Sequence, residues 1–329
     1  MGSASAFLFR AVQTAEPDQV MKRLLMLLQL GCALLFLLWA AHEINWEDLK
    51  VTLPAVSLFA VVLLVLFRLV IYVLLGWRLT VLLYGNITLL QGISSAILCI
   101  GCNNILPARL GEICKIGYLR SRAACGIPTL SGAVAIERGM DVFCLLGMAV
   151  FFGVAVLALP TVWVLLGMGL LLMIGWVLLW KTAFVRSCCR RTLPLFFQQW
   201  TEEILDSLVG MKKRKVFGRA GILSLCIWGC NFIHAELITN MLFPLNLPLR
   251  ETGLLCVVLF GSSALFLVPG GYGLMEGAVT ALLLFWGVEK TQALAIALWG
   301  RLYYSLVPLT LSSVVVACSS KNTFRYTLQ

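Results

Sequence analysis

Residues 142–180 read VFCLLGMAVFFGVAVLALPTVWVLLGMGLLLMIGWVLLW, without one charged side chain from Val142 to Trp180. As a single helix this run would extend roughly 58 Å, about twice the hydrocarbon thickness of a bilayer. Pro160 divides it, because a proline inside a helix removes a backbone donor and clashes with the preceding turn. The run therefore predicts two consecutive membrane spans, about 130–157 and 161–180. The rest of the chain agrees. Of its 329 residues, 61% are hydrophobic and 12% charged, and mean hydropathy is +0.97. Soluble domains run about 45–50% apolar and about 25% charged, so a soluble enzyme, a disordered chain and a secreted disulfide scaffold are excluded. The apolar runs are continuous rather than alternating, which excludes a transmembrane β-barrel.

Working outward, spans are predicted at about 24–41, 54–75, 217–242 and 293–316. Basic residues flank one side of each, and the net charge of +10 is read as positive-inside bias rather than nucleic-acid binding. That bias puts both termini in the cytoplasm and the acidic loop 42–53 outside. Residues 1–20 lack the apolar core of a signal peptide. The segment 181–219 carries nine Lys or Arg and is expected to be cytoplasmic. Lys212–Lys215 in it anchor the topology or meet anionic lipids at the cytoplasmic face. The 12 cysteines are scattered through apolar segments and are expected to be free thiols, with no metal and no cofactor.

Two stretches do not fit a simple crossing. Leu89–Leu106 stops at Pro107 and is followed by Arg109, Glu112 and Lys115. Thr252–Val268 and Tyr272–Val288 are short and separated by Pro269, Gly270 and Gly271. Both are predicted to be re-entrant hairpins, a geometry tolerated only where protein or a water-filled cavity surrounds the irregular backbone. Each half of the chain then has two spans, a hairpin and one span. An odd number of crossings inverts the second half. Pro107 and Pro269 are each followed four residues on by glycine, Gly111 and Gly273. Arg138 follows Pro107 by 31 residues and Arg301 follows Pro269 by 32; each hairpin carries a carboxylate, Glu112 or Glu276. Paired interrupted segments of this kind mark transporter binding sites.

The fold expected is therefore an all-α polytopic membrane protein. It has about six full transmembrane helices and two oppositely facing re-entrant hairpins in an inverted repeat. Residues 1–21 precede a single transmembrane domain, 22–318, with halves at about 22–158 and 160–318; residues 319–329 form a tail.

Ionisable side chains inside spans are costly and mark candidate sites. Glu137, Arg138 and Asp141 share one helix flank by spacing, and read either as a buried ion-pair network or as part of a binding site. Arg109, Glu112, Glu276 and Arg301 lie beside the broken helices. Helix N-termini after Pro107 and Pro269 attract anions, and the glycines let a backbone approach them closely. With Arg138 and Arg301 these features fit a phosphate or phosphodiester. The carboxylates either hold the arginines in place or recognise an amine. No P-loop, GxSxG or HExxH pattern is present, so no ATPase drives the work.

The run Asn104–Glu112 (NILPARLGE), then Ala135–Asp141 (AIERGMD), then Phe266–Gly277 (FLVPGGYGLMEG) resembles the lysylphosphatidylglycerol synthase/flippase transmembrane family. The resemblance spans about residues 22–318 and is to the stand-alone YbhN type, similar to the membrane domain of MprF-type proteins, which flips aminoacylated phospholipid. Ile113–Lys115 depart from the Val-x-Arg of many members, and the soluble aminoacyl-transfer domain is not in the sequence. The resemblance implies a non-enzymatic flippase for a phospholipid or lipid-linked anionic headgroup, an aminoacylated phospholipid included, in a bacterial cytoplasmic (inner) membrane. Its expected partners are that lipid, a second copy of the chain or a lipid-modifying enzyme, and no nucleic acid. Two other readings stand beside it: a polyprenyl-phosphate-dependent glycosyltransferase using the acidic loop, and a non-catalytic membrane partner of a lipid-modifying enzyme.

Single-cysteine labelling in intact cells tests the arrangement. Residues 42–53 and 243–250 are expected to react from outside, and 181–216 and both termini only after permeabilisation. Outside reactivity at Arg120 or Arg122 would overturn the first hairpin and the inverted repeat.

Overall fold

The computed structural model describes residues 58–106, 109–153, 201–206, 209–210, 216–243, 245–264 and 273–326. The predicted spans 24–41 and 161–180, the acidic loop, Lys212–Lys215, Pro107, Pro269, Gly270 and Gly271 lie outside the described residues. Within them the regular structure is entirely helical, and eight helices carry the fold: α1 Leu58–Leu82, α2 Leu89–Ile105, α3 Gly111–Arg120, α4 Ile127–Gly153, α5 Val216–Glu236, α6 Leu249–Ala264, α7 Leu274–Phe285 and α8 Lys290–Tyr326.

Among the described residues, three helical stretches are long and apolar enough to cross a membrane: Val61–Leu82, Val216–Asn240 and Lys290–Cys318. Helix α4 has the length, 27 residues or about 40 Å, but carries Glu137, Arg138 and Asp141 along its middle. The 17 residues of α2 and the 12 of α7 extend only about 25 and 18 Å, short of a bilayer core of about 30 Å. Local chemistry explains their limits. Thr88 opens α2 with a reciprocal capping box: its hydroxyl accepts from the Gln91 N–H, and the Gln91 side chain accepts from the Thr88 N–H. Leu106 is extended just before Pro107, as a residue preceding proline must be. At α7, Gly273 has φ +82°, a conformation costly for any residue with a Cβ. The end of α5 widens into a π turn, Leu237–Leu242.

Helices α1 and α5 pack on each other at the centre and run antiparallel. Leu64 shares a core with Ile238 at one end, and Leu79 shares another with Val216 and Ala220 at the other. Helices α2 and α3 form one hairpin and α6 and α7 a second. The first hairpin packs its Leu119 with Leu82 and Leu83; the second packs Leu283 with Leu64 and Phe243, at the opposite end of the central pair. Near the tip of the first hairpin, Asn104 Nδ2 donates to the Tyr304 carbonyl at 3.5 Å.

The packing is also exchanged between halves. Helix α2 lies on α8 and α6 lies on α4, while α3 stays on α4 and α7 on α8. Swapping α1–α4 for α5–α8 maps this contact pattern onto itself. Small residues allow the close approaches. A Cβ on Gly101 would lie 2.3 Å from Ser312 Oγ, and one on Gly253 would lie 2.4 Å from the Phe152 ring.

Gly111 is the tightest position of the first hairpin. A Cβ there would stand 2.2 Å from the Cys99 carbonyl oxygen, a backbone atom that cannot swing aside. Gly111→Ala is expected to destabilise the protein by about 1–3 kcal/mol through overpacking. Thermal unfolding in detergent checks this.

Candidate functional site

Taken one at a time, the charges buried between helices would each cost several kcal/mol of desolvation, a cost that pairing offsets. The described residues collect the paired ones into two clusters.

The first cluster joins α1, α3, α4 and α5. Arg78 of α1 is fully buried, and its guanidinium forks onto Asp141, with Nη1 2.6 Å from Oδ1 and Nη2 3.2 Å from Oδ2. Its Nε faces Glu137 Oε1 at 3.4 Å, and Nη1 also donates to Ser224 Oγ at 3.0 Å. Glu137 takes Lys115 of α3 on its other oxygen. Asp141 accepts a further hydrogen bond from Trp228 Nε1 at 3.3 Å. Arg138 completes the group. Its Nε stands 3.1 Å from Glu112 Oε1 and its Nη1 3.2 Å from Asp141 Oδ2. Arg78, Lys115 and Arg138 balance Glu112, Glu137 and Asp141 in charge.

Burial separates the members of this cluster. Arg78, Lys115 and Glu137 are sealed, whereas the Arg138 side chain is 38% exposed and Glu112 17%. The sealed part is structural glue between four helices. The partly exposed edge is formed by Arg138, Glu112 and Asp141. Arg109 lies beside it, within electrostatic reach of Arg138, Glu112 and Asp141. Arg109 is held at φ +55°, a backbone conformation that non-glycine residues adopt at a cost and that recurs at functional turns.

The second cluster is simpler. Glu276 of α7 accepts from Arg301 Nε of α8 on Oε1 and from the Gly273 N–H on Oε2 at 2.8 Å. Both side chains are buried. The two halves thus repeat one device, a carboxylate from the hairpin's returning arm bonded to an arginine on the following helix: Glu112 with Arg138, Glu276 with Arg301. Asn104 and Ser305, bonded at 3.5 Å, place the first hairpin's tip one helical turn along α8 from Arg301.

Of the expected site residues, Glu112, Glu137, Arg138 and Asp141 are brought together, with Arg109 adjacent; Glu276, Arg301 and Gly273 form a separate group. Pro107, Pro269, Gly270 and Gly271 lie outside the described residues. The helix N-termini are used differently from the expectation. The Gly111 N–H donates to Asn103 Oδ1 at 2.9 Å and the Gly273 N–H to Glu276, so the protein's own acceptors take these donors. Gly111 serves helix packing rather than access to a ligand. The carboxylates, likewise, hold the arginines. Arg78 was absent from the predicted set because it reads as a basic flank after Trp77. Charge counting gave no signal for it, since Arg109, Lys115 and Arg138 already match Glu112, Glu137 and Asp141 in number. Cys99 and Cys102 have CxxC spacing on α2 but are free thiols, and among the described residues no three ligating side chains gather as a metal site.

Arg78→Ala leaves Glu137 and Asp141 short of a buried cation, at a cost of about 3–5 kcal/mol. Folded yield in detergent is expected to collapse, and Arg78→Lys to restore only part of it, since lysine cannot fork onto Asp141.

The family model for the lysylphosphatidylglycerol synthase TM region matches residues 26–312 of this chain. A UPF0104 membrane protein of Pyrococcus horikoshii is 24% identical over an alignment covering 91% of this chain and 98% of that protein. No solved structure matches.

Proposed function

The chain belongs to the lysylphosphatidylglycerol synthase TM-region family, and on that premise we propose that it moves a lipid with an anionic headgroup across the bilayer. The observation that carries the reading is the state of Arg138. Two of its three guanidinium nitrogens face carboxylates, which fix the plane of the fork, and the side chain remains 38% exposed at the edge of a hairpin. A planar fork held in place and partly open suits a phosphodiester, which accepts parallel N–H bonds.

Two hairpins at opposite ends of an antiparallel helix pair, each carrying a carboxylate paired with an arginine of the following helix, support an alternating mechanism. In this reading a phosphate competes with Glu112 for Arg138 on one side, loosening the first hairpin from α4. The equivalent exchange at Glu276 and Arg301 opens the other side. In the described arrangement Glu276 is buried and bonded. The site as it stands therefore selects for the phosphate, and an aminoacyl amine would need a carboxylate released by that exchange. With no nucleotide motif in the sequence, movement runs down a lipid gradient or is coupled to an ion.

The test is flipping of a fluorescent phosphatidylglycerol in proteoliposomes, read by quenching from outside. Arg138→Ala is expected to slow exchange at least tenfold while thermal unfolding shifts by no more than a few degrees. An unchanged rate per folded molecule would overturn the reading. A variant that aggregates outright would assign Arg138 to structure alone.

A further inference from the structure

Arg68 lies at mid-depth on α1, in a third polar group that neither cluster uses. It is 5% exposed. Its guanidinium carbon sits 5.2 Å from the ring centre of Tyr72 and 5.2 Å from that of Tyr304. No carboxylate among the described residues forms an ion pair with it. Its Nε and the hydroxyl of Tyr72 are both buried with no hydrogen-bond partner of normal geometry.

The neighbours supply no negative charge. Tyr303 donates its hydroxyl hydrogen to the Leu64 carbonyl at 2.8 Å, so towards His234 Nε2, 3.0 Å away, its oxygen can only accept. Nε2 therefore carries the ring proton. Nδ1 is then the acceptor for the Tyr304 hydroxyl at 3.1 Å. Histidine and both tyrosines are neutral and fully bonded in this arrangement, which assigns the tautomer from the network. The aromatic faces attract Arg68, but a cation–π contact is far weaker than the loss of water around a buried ion. Among the described residues, one positive charge remains without an anion, beside a Tyr72 hydroxyl that lies against it and makes no hydrogen bond of normal geometry.

We propose that Arg68 and Tyr72 form a binding site for a monoanionic phosphate oxyanion, distinct from the Arg138 and Arg301 clusters. The guanidinium supplies the charge and a planar set of N–H donors, and the Tyr72 hydroxyl supplies one more. The Tyr303–His234–Tyr304 chain holds the Tyr304 ring beneath the guanidinium and keeps His234 from adding a second charge. A single uncompensated cation matches one negative charge, carried either by a lipid phosphodiester or by free dihydrogen phosphate. The site does not depend on the translocation reading, because it follows from charge and hydrogen bonding alone.

Thermal unfolding of the full chain in detergent tests the site with two probes. One is sodium phosphate at mildly acidic pH against sodium chloride of equal ionic strength. The other is dihexanoyl phosphatidylglycerol against dihexanoyl glycerol, which lacks the phosphodiester. At least one phosphate-bearing probe is expected to raise the wild-type midpoint above its control. Stabilisation by both or by phosphate alone assigns a free-anion site, and by the lipid alone a headgroup site. Tyr72→Phe, which removes one oxygen, is expected to weaken binding about three- to tenfold, the value of one hydrogen bond. Arg68→Gln is expected to abolish the stabilisation. Should Arg68→Gln fail to fold, Tyr72→Phe decides by itself. Absence of stabilisation in the wild type, or the wild-type response retained in Tyr72→Phe, would overturn the site. A flipping rate unchanged in Arg138→Ala would leave it standing, so the two proposals fail separately.

Discussion

Arg78 is the constraint on which the rest depends. Its guanidinium, buried between α1, α4 and α5, must be neutralised, and among the described residues Glu137 and Asp141 are placed to do it. Satisfying both fixes the rotation of α4 about its axis. That rotation turns Arg138, the residue between the two acceptors in sequence, towards the first hairpin and Glu112. Lys115 then closes the far side of Glu137 and ties α3 to the same helix. Replacing such a network by apolar residues need not cost stability, but breaking one member does. Its value lies in permitting only one register of four helices. Greasy helix surfaces alone, interchangeable in lipid, could not choose that register.

The second half reaches a similar end with fewer parts. Glu276 both caps the start of α7 and holds Arg301 of α8, so one carboxylate satisfies a helix terminus and a buried cation together. The first half divides those tasks between Asn103, which caps α3, and Glu112, which holds Arg138. That division leaves Glu112 and Arg138 less buried than Glu276 and Arg301. Under the proposed function, the less buried Glu112–Arg138 pair is the one that a ligand can part at lower desolvation cost.

The crossed packing of the halves, α2 on α8 and α6 on α4, bears on the same point. Each hairpin touches the final long helix of both halves, so a shift of either hairpin is felt on both sides of the molecule. Gly101 against Ser312 and Gly253 against Phe152 keep those contacts close and make them sensitive to small displacements. Tyr304 stands where these relations meet. Its carbonyl accepts from Asn104 of the first hairpin, its hydroxyl meets His234 of α5, and its ring lies under Arg68 of α1.

Much of this was readable from residues. The uncharged run 142–180, the proline-interrupted segments and the matched spacing of Pro107–Arg138 and Pro269–Arg301 follow from chemistry that acts locally: apolar side chains partition into lipid, and proline disfavours a helix interior, although α8 continues through Pro308. Family membership was legible for the same reason, since LPARLGE, ERGMD and PGGYGLME are contiguous strings. Partner choice was not legible. Arg78 reads as an ordinary flanking charge, and nothing local shows that α1 continues past Trp77 to carry it into the core. Gly111 and Gly273 read as places where a ligand might meet bare backbone, until Asn103 and Glu276 are seen to bond those N–H groups. Arg68 reads like Arg78, yet one meets two carboxylates and the other only tyrosine rings. Sequence alone determined which segments avoid water and where helices must break, because those preferences belong to single residues and their neighbours. Only the tertiary structure decided which charges neutralise one another, because Coulomb and hydrogen-bond partners are set by distance in space, and helices far apart in the chain supply them.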